Sequence, residues 1–357
     1  MKEWIKSRNF DISNLFSPVI IVGITVLLTS LVIGSVRVNP LEAYYYLIVG
    51  AFGNPSRIID TLTKAVPISF AGFAVSMSTR AGIFNIGVEG QLTMGAFGAT
   101  IAGIYLVGLP PIIHIPLALL IGMLFGVLYA MLPSLLFVFK EVDMIVILIM
   151  MNNIAKLLVT YLVFGPFSSG MSSITATDAV QISARLPNLI TQPNRLSIGI
   201  LLVLAVAIIL YLYYYRTTKG YELRCLGQNR EAAIVAGLPA KRIYLVALLL
   251  SGALGGLAGS VEILGNFHRL YPNFSPGYGF DGIPISALAV GNPFGIIIGS
   301  IVFGAIRTGS LYMQIRTGIP VELVLVVQGI LITLIACQRF LKNYANAKVM
   351  KQRMGAK

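Results

Sequence analysis

The sequence predicts an all-α polytopic membrane protein of about ten transmembrane helices, set six and four about a polar island, with both termini on the cytoplasmic side. Three observations lead there. Hydrophobic residues make up 57% of the 357 residues and charged ones only 11%, and the mean hydropathy is +0.86, a composition that a soluble core of this size does not need. Uncharged or nearly uncharged runs of span length recur along the chain. The charges gather in three segments: a tail at 1–17, an island at 216–242 (RTTKGYELRCLGQNREAAIVAGLPAKR) and a basic tail at 339–357. Those segments hold 15 of the 26 basic residues but four of the 13 acids, the bias that cytoplasmic segments carry.

Taken in order, the run 18–36 follows a long charged lead and no small-residue cleavage site comes before further spans, so it reads as a first span and not as a signal peptide. Further runs lie at 65–79, 92–109, 115–139, 144–164 and 196–215. Six crossings over 18–215 bring the chain back to the cytoplasm at the island. Pro110-Pro111 breaks the stretch after Gln91, and the loop Gly165 to Arg195, rich in Ser, Thr, Pro and Asn, is the largest external segment. After the island come 243–264, 282–306 and 319–338. Three crossings would leave the basic C-tail outside, so 282–306 is expected to hold two short segments hinged at Asn292-Pro293, giving four helices over 243–338.

A pattern occurs twice. A span rich in Gly, Ala and Ser leads into a polar, glycine-bearing segment and another apolar run, first from Ala65–Thr79 into RAGIFNIGVEGQ and again from Ile243–Leu264 into FSPGYGFDG. On this count the two leading spans run in opposite directions, as an inverted repeat of five helices requires. In the first copy, glycines loosen the backbone between Arg80 and Gln91 and free polar groups that only a protein-lined or wet cavity satisfies. Glu89, ionisable and next to an apolar run, is a functional-site residue by default, against the plainer role of capping the next helix. The tyrosines 211, 213, 214 and 215, at the end of a span, read as a membrane-interface belt.

The island offers a docking surface. A short helix starting near Asn229, lined by small residues and stopped by Gly237 and Pro239, presents low relief to another protein's groove; Arg230, Glu231, Ala232, Ala233 and Gly237 carry it. Nothing in the chain matches a GxxxxGK[ST] phosphate loop, so a motor for this pore has to be another polypeptide. Of the net charge of +13, the segments named above carry +11, from 15 basic residues and four acids, which speaks for membrane orientation and against nucleic acid. His114 and His268, the only histidines, do not suggest a metal site, and a disulfide between Cys225 and Cys337 is not expected. No paired carboxylates or nucleophile with a base stand at useful spacing, so no catalytic residue is assigned.

Together, RAGIFNIGVEGQ (Arg80 to Gln91), VDMIVILIMMNNIA (Val142 to Ala155), LSGALGGLAGSVEILG (Leu250 to Gly265) and FSPGYGFDGI (Phe274 to Ile283) resemble the permease subunits of bacterial ABC importers, in the branch for sugars, nucleosides and branched-chain amino acids, with the nucleoside permeases most alike. The likeness spans Thr61 to Gly309. EAAIVAG (Glu231 to Gly237) resembles the start of the loop by which importer permeases dock on their ATPases, although the Ile-x-Leu-Pro ending of other branches is missing. The resemblance implies a bacterial cell-membrane protein and a set of partners: an ABC ATPase carrying ATP and Mg, a substrate-binding lipoprotein, and a second permease, the same or homologous. It implies no cofactor in this chain, alternating access through the permease dimer, and a nucleoside as solute. A nucleoside path needs rings to stack on and amides for base edges, with weak attraction. Phe84, Asn85, Glu89, Gln91, Asn152, Asn153, Phe267 and Gln328 are the residues expected to line it. Two alternatives stay open: a sugar or branched-chain amino acid importer of the same branch, and an ion-coupled carrier using Glu89, Glu262 and Asp281.

Overall fold

The computed structural model describes residues 38–170 and 175–319, with isolated positions at 23, 27–31, 33–34 and 329. The N-tail, most of the spans 18–36 and 319–338, Gln328 and the C-tail lie outside the described residues. Two compact units divide the chain, residues 51–308 and residues 1–50 with 309–357. In the latter, Gly50 lies against Gly309 and Tyr312, and the Tyr46 and Tyr312 rings meet edge to face at 6.1 Å.

Helix α1 is Pro40–Phe52 and α2 is Pro55–Thr79. The sequence runs do not anticipate α1, which is too short to register as a span; Asn39 Oδ1 starts it by accepting from Leu41 N–H at 3.0 Å. Helix α2 begins ten residues before the predicted 65, because Asn54 Oδ1 caps Arg57 N–H at 2.9 Å and Pro55 takes the first turn. Then follow α3 (Val88–Tyr105), α4 (Pro111–Lys140) and α5 (Met144–Phe164). Helix α3 stops short of the predicted 109, where Gly108 turns at φ +83° ahead of Pro110-Pro111. Asp143 caps α5, its Oδ1 accepting from Ile145 N–H at 2.8 Å.

The loop after α5 is built on α3 and on the chain beyond residue 263. It carries a short 3₁₀ turn and an antiparallel pair, β1 (Asn188–Ile190) with β2 (Leu196–Ser197). Gln181 N–H donates to Gly103 C=O at 2.9 Å and Leu186 N–H to Leu264 C=O at 2.9 Å, so the loop covers the C-terminal ends of both segments. Next come α6 (Gly199–Arg216), α7 (Thr218–Gln228) and α8 (Arg230–Val235). Helix α9 (Ala240–Glu262) is continued by one π turn, Ile263–Phe267.

The predicted run 282–306 does break before Pro293, but unequally. Helix α10 (Tyr278–Leu288) is 11 residues long and α11 (Pro293–Thr317) is 25. Helix α10 covers roughly 16 Å at 1.5 Å per residue, about half a bilayer core. The expectation of two short segments hinged at Asn292-Pro293 is therefore corrected for the second, which is a full-length helix; the first is preceded by an irregular segment, 268–277, with bends, a turn and positive φ at His268, Asn273 and Gly277.

Among the described residues six helices are long and apolar enough to cross a membrane: α2, α4, α5, α6, α9 with its π turn, and α11. The chain is an all-α polytopic membrane protein. Helices α2 and α9 are its core, each 72% buried over its apolar window against 22% for α4 and α5. They are the two spans of the repeated pattern, and they run antiparallel. Near one end Gly199 touches both Val66 and Val261, while further along Ser251 Oγ donates to Ala74 C=O at 2.6 Å.

Small residues set the spacing of this core. A Cβ on Gly259 would come 2.0 Å from Leu92 O, and one on Gly95 would come 2.2 Å from Gly256 Cα. Helices α3 and α9 thus touch backbone to backbone, the close approach that small residues permit in a bilayer. The tyrosine belt is corrected at one position: Tyr214 is wholly buried, with its hydroxyl 3.4 Å from Ser76 Oγ and Arg80 over its ring.

Candidate translocation site and coupling surface

Two helix N-termini meet half-way along α2. Helix α3 starts at Val88 after the irregular stretch 81–87, and α10 starts at Tyr278 after 268–277. Irregular backbone at such depth is tolerated only inside protein or along a wet cavity. Glu89 Oε2 accepts from Gly279 N–H at 2.7 Å, joining the two starts. Gly279 is required there, since a Cβ would sit 2.4 Å from Glu89 N. Both first turns carry an acid, Glu89 in α3 and Asp281 in α10, where the helix dipole favours negative charge.

Cations balance these acids. Arg307 Nε pairs with Asp281 Oδ2, its Nη2 donates to Pro276 C=O at 3.1 Å, and its guanidinium lies 5.3 Å from the Tyr278 ring centre. Tyr278, 4% exposed, stands in the field of Glu262, Arg307, Asp281 and Glu89 together. Towards the N-terminal end of α2 a second group follows. Glu262, 2% exposed, accepts from Asn266 Nδ2 at 3.1 Å, and Lys64 is held between the fields of Asp60 and Glu262. Asp60 Oδ1 in turn accepts from Asn194 Nδ2 at 2.6 Å. Charged groups therefore run from the α2 N-terminus to its middle, the acids Asp60, Glu262, Asp281 and Glu89 interleaved with the cations Lys64 and Arg307. Such pairing is how ionisable residues are kept inside a membrane, and it marks solute paths.

The path residues named from sequence fall into two sets. Phe84 and Phe267 are open, at 45% and 37% exposure, and Phe280, not anticipated, joins them at 44%. Phe267 packs edge to face on Tyr271 and Phe274. The amides are mostly engaged in structure. Asn85 is fully buried, donating to Ser251 Oγ at 2.8 Å and accepting from Gly87 N–H at 2.8 Å. Asn152 accepts from Gly90 N–H at 2.9 Å and donates to Ile86 C=O at 3.0 Å, so it fixes the turn that delivers Glu89. Asn153 is exposed and bonds its own helix at Ile149 C=O, 3.1 Å away. Gln91 is buried against Gly255, and among the described residues its Oε1 has no hydrogen-bond partner.

Lys64, Arg307 and Tyr278 were not anticipated. Lys64 and Arg307 adjoin the uncharged runs 65–79 and 282–306, whose limits are drawn at the first charge, so both cations were read as span edges. A single cation directly bordering an uncharged run, Lys64 before 65–79 and Arg307 after 282–306, was the available signal. His114, by contrast, is structural: its ring nitrogens lie 2.9 Å from Ser183 Oγ and 3.1 Å from Ala102 O.

The island folds as two short helices. Thr217 Oγ1 accepts from Gly220 N–H at 3.0 Å to start α7, and Asn229 Oδ1 accepts from Ala232 N–H at 3.0 Å to start α8. Gly237, at φ +84°, ends α8 while Leu238 N–H returns to Ala233 C=O at 3.0 Å, a Schellman closure. Ala233 faces inward, whereas Val235 is 89% exposed and Ile234 47%. Arg230 lines a surface cleft with Phe137, Glu141, Lys241 and Tyr244, and Glu231 is exposed in the first turn.

Residues 57–336 match the family described as branched-chain amino acid transport system / permease component. The chain belongs to that permease family. A guanosine ABC transporter permease of Bacillus subtilis is 33% identical over 91% of this chain and 94% of its own length. A glucose ABC transporter permease of Haloferax volcanii is 30% identical over 92% and 88%, and a nucleoside ABC transporter permease of Lactococcus lactis 28% identical over 89% and 90%. The permease is thus a multi-pass protein of the cell membrane and a subunit of the ABC transporter kind. That membership removes the ion-coupled carrier as an account of Glu89, Glu262 and Asp281.

Proposed function

We propose that this permease imports nucleosides, passing them between two permease subunits by alternating access while a separate ATPase, docked on residues 216–242, hydrolyses ATP with Mg. The observation that carries the solute is the 33% identity, over nearly the full length of both chains, to a permease of guanosine transport, with a nucleoside permease at 28% beside it. The geometry is in keeping with it. Three open rings, Phe84, Phe267 and Phe280, flank the chain segments that lead to the paired helix starts, and aromatic faces take bases without tight selection. The exposed Ile234 and Val235 beside a capped, glycine-ended helix suit a groove on the ATPase. A lipoprotein that captures the solute outside and a second permease, the same or homologous, complete the assembly; this chain holds no cofactor of its own.

A glucose substrate is the second reading, favoured by the 30% identity to a glucose permease. Uptake of labelled guanosine by cells expressing the whole transporter separates them. Nucleoside import predicts uptake that excess unlabelled nucleoside suppresses and excess glucose leaves alone. Suppression by glucose, with no accumulation of guanosine, overturns it.

A further inference from the structure

Arg80 closes α2 at the point where four pieces of chain converge. Its Nε and Nη2 donate to Gly291 C=O at 3.2 and 3.1 Å, and Nη2 also donates to the Tyr215 hydroxyl at 2.7 Å. The guanidinium carbon lies 4.6 Å from the Tyr214 ring centre and 5.1 Å from that of Tyr215. One side chain thus ties the turn between α10 and α11 to the end of α6. Its backbone does a second job. A Cβ on Gly227, at the end of α7, would fall 2.1 Å from Arg80 O and 3.0 Å from Gly82 N, so α7 bears directly on the residue that closes α2.

From Gly291 the route continues without a gap. Helix α10, with Pro284 inside it, leads back to its first turn, where Gly279 N–H donates to Glu89 Oε2 at 2.7 Å. A displacement of α7 therefore reaches the Glu89–Gly279 contact through Arg80, the turn at Gly291 and the 11-residue helix α10. It also reaches it through the stretch 81–87, whose last turns are fixed by Asn152. Contiguous packed elements of this sort are what carries coupling between distant sites.

We propose that Arg80 is the positioning residue that transmits movement of the 216–242 segment to the opposed helix starts at Glu89 and Gly279. This rests on the functional reading above, in which an ATPase acts on that segment. An arginine is needed because a planar fork serves two acceptors while lying over two rings, and a lysine ammonium does not reproduce this.

The test uses the whole transporter in proteoliposomes, with ATP hydrolysed and labelled guanosine taken up measured on the same sample. In Arg80→Lys and Arg80→Gln, hydrolysis stays within about twofold of the unaltered complex while uptake falls at least about fivefold, so ATP spent per guanosine rises. Tyr215→Phe, which keeps the ring and removes one acceptor, shifts the ratio the same way by less. A purely structural role would lower the amount of assembled transporter and leave the ratio where it was. An unchanged ratio, whether both rates hold or both fall together, overturns the proposal. If the unaltered complex shows no ATP-driven uptake of guanosine, the functional reading fails instead, and this inference falls with it.

Discussion

Replacing Arg307 by Met isolates the energetics of the buried ionic site. The Arg307 and Asp281 side chains are 13% and 6% exposed, so removing the cation strands a carboxylate where water barely reaches. Breaking a buried pair from one side costs about 3–5 kcal/mol. The reverse change, Asp281→Asn, is milder. Arg307 keeps the Pro276 carbonyl and the Tyr278 ring, and the asparagine still offers an oxygen, leaving a loss of about 1–3 kcal/mol. In the double variant no charge is stranded, so it should exceed Arg307→Met in stability by about 1.5 kcal/mol or more. Titration of the purified permease with SDS in mixed micelles, followed by loss of its monodisperse form, gives the three values. If the double variant loses as much as the two single changes added together, the pair is not coupled and the ionic account of this site is wrong.

Other perturbations probe the remaining parts. Glu89→Gln keeps the shape and an oxygen that can accept from Gly279 N–H but removes the ionisable group; guanosine uptake by the assembled transporter should change several-fold, and unchanged kinetics would remove Glu89 from the path. Gly259→Ala puts a methyl 2.0 Å from Leu92 O and should cost about 1–3 kcal/mol by overpacking, read as lower thermal survival of the detergent-solubilised protein; survival equal to the parent would contradict the close α3–α9 packing. Asn229→Ala removes the cap of α8 at about 1 kcal/mol, so co-purification of the ATPase should weaken while Asn229→Ser restores it.

Much of this was legible in the residues. Pro293 after Asn292 marked the break ahead of α11, and Asn229, Gly237 and Pro239 marked α8, because caps and prolines act locally. The spans 65–79 and 243–264, rich in Gly, Ala and Ser, identified the two central helices, since small side chains allow such close packing. What escaped depends on rotation and depth. Asn85 and Asn152 looked free to meet a solute, yet both hold backbone around Glu89. Tyr214 sat in a row of tyrosines whose neighbours gave no hint that one would turn inward under Arg80. Helix α10 read as a span because hydropathy counts apolar residues and does not register that the preceding 268–277 is irregular and not helical. The meeting of Glu89 with Gly279, 190 residues apart in the chain, is a tertiary fact that no local pattern carries.

The central claim is that this chain moves nucleoside only when a separate ATPase acts on residues 216–242. Proteoliposomes holding the permease alone, compared with vesicles that also contain its ATPase and capturing lipoprotein, test it directly. Concentrative uptake of labelled guanosine should occur only in the full assembly, require ATP on the ATPase side, and vanish when Glu231 to Gly237 is scrambled without loss of membrane insertion. Uphill uptake by the permease alone, or full uptake with the scrambled segment, would contradict the account.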